Sequence, residues 1–69
     1  VGLGEYLKAI EYYEKSLSLN LKLYSEGVHP DNAISYRGLS LAYGGVGDRA
    51  RAEEFAQKAN VTEIKLKGQ

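Results

Sequence analysis

The chain opens with a helical pattern of apolar side chains. They recur at steps of three and four residues, the spacing that places side chains on one face of an α-helix. This stripe consists of Tyr6, Ile10, Tyr13, Leu17, Leu21 and Tyr24, and a second stripe of Tyr12, Ser16, Leu19 and Leu23 has the same rhythm. The pattern predicts a helix from about Glu5 to Ser25 that other helices contact on two sides, as in a stacked helical array.

Turn residues then mark a second helix. Gly27 is the predicted end of the first helix, because glycine adopts the left-handed conformation common just after a helix. Pro30 and Asp31 suit a helix start, since proline needs no N–H partner there and a carboxylate complements the helix dipole. We expect this helix to run from about Pro30 to Val46. Its predicted buried stripe is Tyr36, Leu39, Tyr43 and Val46.

A third helix follows Gly47 and Asp48, which predict a stop and an N-cap, and it extends to about Lys67. Three alanines at helical spacing beside Phe55 are small enough to let a neighbouring helix approach closely. They are Ala52, Ala56 and Ala59. We expect them to face the second helix.

The first and third helices repeat one another. When the chain is shifted by 43 residues, seven of 26 aligned positions are identical. The identical positions are Gly2, Gly4, Ala9, Glu11, Lys15, Lys22 and Leu23, and they fall on Gly45, Gly47, Ala52, Glu54, Lys58, Lys65 and Leu66. A self-match with a period of roughly 20–50 residues predicts a solenoid of stacked repeats.

The second and third helices together resemble the tetratricopeptide-repeat signature. Tyr36 stands where that family often has Trp, and Ser40 stands where it has Gly. The other matching residues are Leu39, Tyr43, Gly47, Ala52 and Ala59. The resemblance implies an all-α fold of antiparallel helix-turn-helix repeats, here a three-helix fragment of an α-solenoid that binds other proteins.

The long repeat and the connection before Pro30 resemble the extended-helix variant found in kinesin light chains. In these terms, residues 1–26 are the second helix of a truncated upstream repeat. Residues 27–69 form one complete helix pair. Neighbouring repeats of the same chain are then expected to pack on this segment.

The charge balance narrows the class of partner. Nine Lys and Arg residues offset nine Asp and Glu residues. Because binding to nucleic acid or an anionic membrane needs a basic excess, we expect a protein or peptide partner, with no nucleic acid and no membrane. The chain has no cysteine, which fits a reducing compartment, and no apolar run of transmembrane length. The default expectation is therefore a cytoplasmic protein.

Candidate catalytic chemistry is sparse. His29 is the only histidine, so no second histidine or cysteine can join it at a metal, and no serine has an evident base to activate it. The glycine clusters lack the strand-turn-helix context of a phosphate-binding loop. We expect no enzyme activity, no metal and no cofactor.

The remaining candidate site is a surface. In a solenoid the inner helices line a concave groove that binds ligands, and here the second helix is the inner one. Its predicted groove residues are Ile34, Arg37, Leu41, Gly44 and Gly45. Arg37 resembles the basic residue with which some family members hold a terminal carboxylate, but Leu41 stands where their Asn would be. Two alternatives stay open: Arg37 as an ordinary solvated residue, and a purely architectural spacer or oligomerisation role.

Overall fold

Three α-helices make up the protein. The computed structural model describes residues 2–24 and 28–68, and within them the helices are α1 (Leu3–Leu23), α2 (Pro30–Gly45) and α3 (Arg49–Lys67). The middle helix, α2, packs against both α1 and α3. The described ranges contain no strand, so the predicted all-α, three-helix fold is confirmed.

The helix ends follow the turn residues with small shifts. Helix α1 begins at Leu3, earlier than predicted, and ends at Leu23, with Tyr24 as its C-cap. The predicted stop at Gly27 lies outside the described residues. Helix α2 begins at Pro30 as predicted and ends at Gly45 rather than Val46, because Val46 leaves the helical conformation as the C-cap.

The turn between α2 and α3 has the chemistry that the sequence predicts. Gly47 has a φ of 87°, in the left-handed region that a side chain disfavours. The Asp48 side chain then accepts a hydrogen bond from the Arg51 N–H at 3.2 Å, which satisfies an unpaired donor in the first turn of α3. This tight turn sets α3 back against α2.

The core lies along α2. Leu39 is fully buried and forms one cluster with Ile10 of α1 and with Ala42 and Tyr43 of α2. Four residues of the first predicted stripe pack in or on this cluster, as expected. They are Tyr6, Ile10, Tyr13 and Leu17.

Two glycines allow α1 to approach α2. A Cβ atom on Gly38 would overlap the ring of Tyr13, and one on Gly45 would overlap the ring of Tyr6. Each tyrosine ring therefore lies directly on the backbone of α2. The two contacts are seven residues apart on both helices, which fixes the antiparallel register of the pair.

The contact between α2 and α3 is built differently, around one aromatic ring. Phe55 stacks on Tyr43 at 5.6 Å between ring centroids and on Tyr36 at 6.2 Å. Ala59 is fully buried. The Ser40 hydroxyl donates a 2.7 Å hydrogen bond to the Ala52 carbonyl, so Ala52 does face α2 as predicted. Ala56 is half-buried.

Two residues of the first stripe do not pack as predicted. Leu21 and Tyr24 are 43% and 42% exposed. Leu21 lines an open cavity together with Tyr36 of α2 and Lys58 of α3, so it faces these helices without being buried by them. Tyr24, the C-cap residue of α1, stacks on His29 at 4.2 Å between ring centroids.

The second stripe of α1 is exposed. Tyr12, Leu19 and Leu23 each have more than half of their surface open to solvent, and Ser16 is half-buried. The shift of 43 residues aligns Tyr12 with Phe55, which stacks on Tyr43 of α2, and Leu19 with Thr62, which is buried. The same helix position is therefore covered on α3 and uncovered on α1.

Candidate functional site

Three of the five predicted groove residues share one open face of α2. Ile34, Arg37 and Leu41 are spaced three and four residues apart, so they form a line along the helix. Ile34 is 61% exposed and Leu41 is 70% exposed, so two large apolar side chains of this line are open to solvent. These three residues belong to a cavity of about 510 Å³, which we call the α2 groove.

Both neighbouring helices contribute to the walls of the α2 groove. Gly38 and Ala33 of α2 form part of its surface, Tyr13 reaches it from α1, and Glu63 and Leu66 reach it from α3. The full lining is Tyr13, Pro30, Ala33, Ile34, Arg37, Gly38, Leu41, Glu63 and Leu66. The site therefore depends on all three helices.

Ile34, Arg37 and Leu41 are exposed because the other faces of α2 are buried by the neighbouring helices. Leu39, Ala42 and Tyr43 are buried in the core cluster between the helices, which fixes the rotation of α2 about its axis. At 100° per residue, Ile34 and Leu41 then point away from both contacts. The two packing contacts of α2 thus decide which residues face the groove.

Arg37 is paired within the protein. Its Nη2 atom donates to the carboxylate of Glu63 in a salt bridge and to Oδ1 of Asn60 at 3.2 Å. Both partners lie on α3, one turn apart. Arg37 is therefore a partly exposed cation that is paired with two side chains of α3.

Gly44 and Gly45 do not line the α2 groove. Gly45 lies under the ring of Tyr6, so its lack of a side chain serves the contact between α1 and α2. A Cβ atom on Gly44 would have the methyl group of Ala52 as its nearest neighbour, at 4.0 Å. The structure groups Ile34, Arg37 and Leu41 and places the two glycines at helix contacts instead.

Sequence reasoning missed six of the nine lining residues, and three of these six lie on the neighbouring helices: Tyr13, Glu63 and Leu66. The spacing predicts Tyr13 on the buried stripe of α1, and its ring does cover Gly38, but Tyr13 also lines the groove. Glu63 carries a charge opposite to that of Arg37, yet the two are 26 residues apart in the chain. No local spacing connects residues that far apart, so only the packed helices reveal the pair.

Comparison with known protein families supports the fold. The family model for the tetratricopeptide repeat matches residues 2–59. The chain belongs to the tetratricopeptide-repeat family. Searches of curated proteins and of solved structures gave no significant match.

Tetratricopeptide repeats generally act as protein–protein interaction scaffolds, and they are typically non-catalytic. The match includes α1, α2 and the first half of α3, so it contains Ile34, Arg37 and Leu41. Of the predicted functions, protein binding in general is therefore supported by the family.

His29, the one residue with obvious catalytic potential, has a local structural role. Its Nδ1 atom accepts a hydrogen bond from the Asp31 N–H at 3.1 Å, so the imidazole caps the start of α2. Among residues 2–24 and 28–68, no group of three or more metal-ligating side chains is placed to hold an ion. None of the described helices is both long and apolar enough to cross a bilayer.

Proposed function

We propose that the α2 groove is part of a concave surface that binds a peptide or a helix of another protein. The observation that carries the proposal is the exposure of Ile34 and Leu41 on an otherwise packed helix. Covering a large aliphatic side chain contributes about 1.5–3 kcal/mol, so a partner that covers both gains substantial free energy. The family's general role in protein binding supports the same conclusion.

We also propose that this is the long-helix variant of the repeat, of the kinesin-light-chain type. Helices α1 and α3 have 21 and 19 residues, and the internal offset is 43 residues. A standard tetratricopeptide repeat takes about 34 residues, so the extra length lies within this unit. In this proposal residues 1–26 end one repeat and residues 27–69 form the next.

An architectural role is the second candidate. The exposed stripe of Tyr12, Leu19 and Leu23 supports it, because the aligned positions on α3 pack against a helix. In this case α1 joins a neighbouring repeat of the same chain, and the segment spaces or assembles other domains. The two functions are compatible, since they use different faces.

We propose that the repeat works without catalysis of its own and resides in the cytoplasm. The histidine is engaged as the cap of α2, and the Ser40 hydroxyl donates to a backbone carbonyl. The lack of cysteine in the sequence is compatible with a reducing compartment.

The binding proposal is tested with a matched pair of surface substitutions. Leu41 lies in the α2 groove and Ile64 lies outside it on α3, and the two are 70% and 68% exposed. Both Leu41→Asp and Ile64→Asp should leave the free energy of unfolding within about 0.5 kcal/mol of wild type, because neither side chain is core. Only Leu41→Asp should weaken partner binding, by about tenfold or more.

The partner for this test comes from a displayed library of peptides selected against the 69-residue chain. Affinity of selected peptides is measured by titration, and the contacted residues are mapped by amide chemical shifts. Equal affinity for wild type and the Leu41→Asp variant, or shifts confined to other faces, would refute the groove proposal. The architectural role would then be the better account.

A further inference from the structure

We infer that the α2 groove selects an amphipathic helix with an uncharged, apolar contact face and disfavours a ligand carboxylate. This inference rests on the proposed function and names the ligand class of the same site. It comes from the pairing of Arg37, from the shape of the apolar surface, and from the need of a ligand backbone for hydrogen bonds.

The charge in the groove is already balanced. Arg37 is the groove's only Lys or Arg among the residues that line it, and its guanidinium is bound to Glu63 and Asn60. A ligand carboxylate would have to displace Glu63 from Arg37 and would then leave that acidic side chain beside itself. The attraction to Arg37 and the repulsion from Glu63 largely cancel, so an acidic ligand gains little.

The open surface is apolar and long enough for two turns of a helix. Ile34 and Leu41 are seven residues apart, which is about 10 Å along α2 at 1.5 Å per residue. Leu66 on one side and Tyr13 on the other extend this strip. A partner helix with apolar side chains at matching turns can cover the strip, as in other helix-in-groove complexes.

A helix suits this surface better than an extended peptide. An extended segment brings backbone N–H and C=O groups that need new partners when it is covered. The exposed groove offers aliphatic and aromatic side chains, and its one guanidinium is paired. A helical ligand satisfies its backbone internally, so it loses no hydrogen bonds on binding.

Glu63 is the specificity-determining residue in this scheme. Because it neutralises Arg37, its replacement by an uncharged isostere should expose a cation to the ligand. The Glu63→Gln variant is therefore expected to accept acidic contact residues that the wild type rejects. Both side chains of the pair are partly exposed, at 46% and 44%, so the change should not unfold the chain.

The experiment uses displayed helical peptides, blocked at both ends, with randomised residues at positions one and two turns apart. Selection against the wild-type chain should enrich Leu, Ile, Val, Met or Phe at those positions. Dissociation constants of selected peptides should change by less than about twofold between low and high salt, because no net charge is paired. Replacing one apolar contact residue by Glu should weaken binding to wild type by about tenfold or more, and the Glu63→Gln variant should recover about half of that loss or more.

Each outcome decides something. Enrichment of acidic residues, with affinity that depends on Arg37 in an Arg37→Gln variant and falls with salt, would overturn the inference while leaving the binding groove in place. Recovery of no peptide that is sensitive to Leu41→Asp would refute the proposed function itself. Failure of Glu63→Gln to improve binding of the Glu-containing peptide would show that the pair does not set specificity.

Discussion

Helices α1 and α3 are related by the 43-residue self-match of the sequence but leave different surfaces uncovered. Both place a face on α2, and the 43-residue shift aligns them residue by residue. Helix α1 has more exposed large apolar residues than α3. Among the described residues of α3, only Val61 and Ile64 are large, apolar and exposed. Those of α1 are Leu3, Leu7, Tyr12, Leu19, Leu21 and Leu23.

The difference arises because each helix uses a different one of its two faces. Helix α1 contacts α2 through Tyr6, Ile10 and Leu17, whose aligned positions on α3 are Arg49, Glu53 and Asn60. Helix α3 contacts α2 through the face that contains Phe55 and Ala59. That face of α1 is the exposed stripe with Tyr12 and Leu19.

The difference between α1 and α3 indicates on which side an additional helix would stabilise the protein. The uncovered face of α1 is apolar, so another helix packed there would remove apolar surface from water. On α3 two of the aligned positions, Arg49 and Glu53, are charged and exposed, and a polar outer face of this kind keeps the end of a helical stack solvated. Stacking on the two sides should therefore be unequal.

The largest expected effect is a difference in the free energy of unfolding between alanine substitutions at two aligned residues, Ile10 and Glu53. Ile10 is buried in the core cluster, so Ile10→Ala should lower the free energy of unfolding by about 2–5 kcal/mol. Glu53 is exposed, and Glu53→Ala should change it by less than about 0.5 kcal/mol. Urea unfolding followed by circular dichroism measures both.

A small helical chain has a low free energy of unfolding, so the Ile10→Ala variant is expected to be largely unfolded even without urea. Ile10→Val is the milder variant and should cost about 0.5–1.5 kcal/mol. Equal effects at positions 10 and 53 would contradict the assignment of one core face and one solvent face to the aligned positions.

The next effect tests unequal stacking directly. A copy of residues 28–43 joined before Val1 places an α2-like helix in register to cover Tyr12, Leu19 and Leu23. A copy of residues 25–43 joined after Lys67 places the same helix against the polar face of α3. We expect the first extension to raise Tm by about 5 °C or more and the second by less than half as much, because apolar burial differs.

The control for helix stacking is the first extension with its copied Leu39 changed to Asp, which should remove the gain. Thermal unfolding by circular dichroism gives Tm, and sedimentation shows whether each chain is a monomer. Equal gains from both extensions would mean that the exposed stripe of α1 has no special role and would count against an upstream repeat.

The smallest expected effect is seen at two adjacent glycines of α2. Gly44 faces α3, and Gly45 faces α1. Gly44→Ala should raise the free energy of unfolding by about 0.5–1 kcal/mol, since alanine favours a helix and the nearest atom is 4.0 Å away. Gly45→Ala should lower it by about 1–2 kcal/mol, because the new methyl group would overlap the Tyr6 ring and the overlap outweighs the gain in helix propensity.

Tyr6→Leu in the same chain should reduce the cost of Gly45→Ala, and a double-mutant cycle measures this coupling. A stabilising effect at both glycines would show that α1 does not depend on close approach at Gly45. The Gly44 variant serves as the internal control for helix propensity.

The candidate site was only partly predictable. Ile34 and Leu41 could be assigned to the groove because their position on α2 follows from the spacing of the core residues. Gly45 was assigned there on the same angular argument, yet it lies beneath Tyr6. Angular position alone does not say how far the side chain of a neighbouring helix reaches.

The pattern of neighbouring residues along the chain was sufficient to predict the three helices. The spacing of apolar residues gave three helices, Pro30 and Asp48 marked two starts, and the self-match related α1 to α3. These features depend on residues within a turn or two of each other, or on identity along the chain. The sequence by itself therefore determined the fold class and the order of the helices.

Only the tertiary structure decided which side chains pair between helices and how the end of α1 is packed. The pairing of Arg37 with Glu63 joins two helices, and Leu21 and Tyr24 are exposed although their spacing predicts burial. Both outcomes depend on the relative position of helices along their axes. Periodicity specifies a direction around a helix axis, whereas axial position is set by packing, here by Tyr6 and Tyr13 against two glycines of α2.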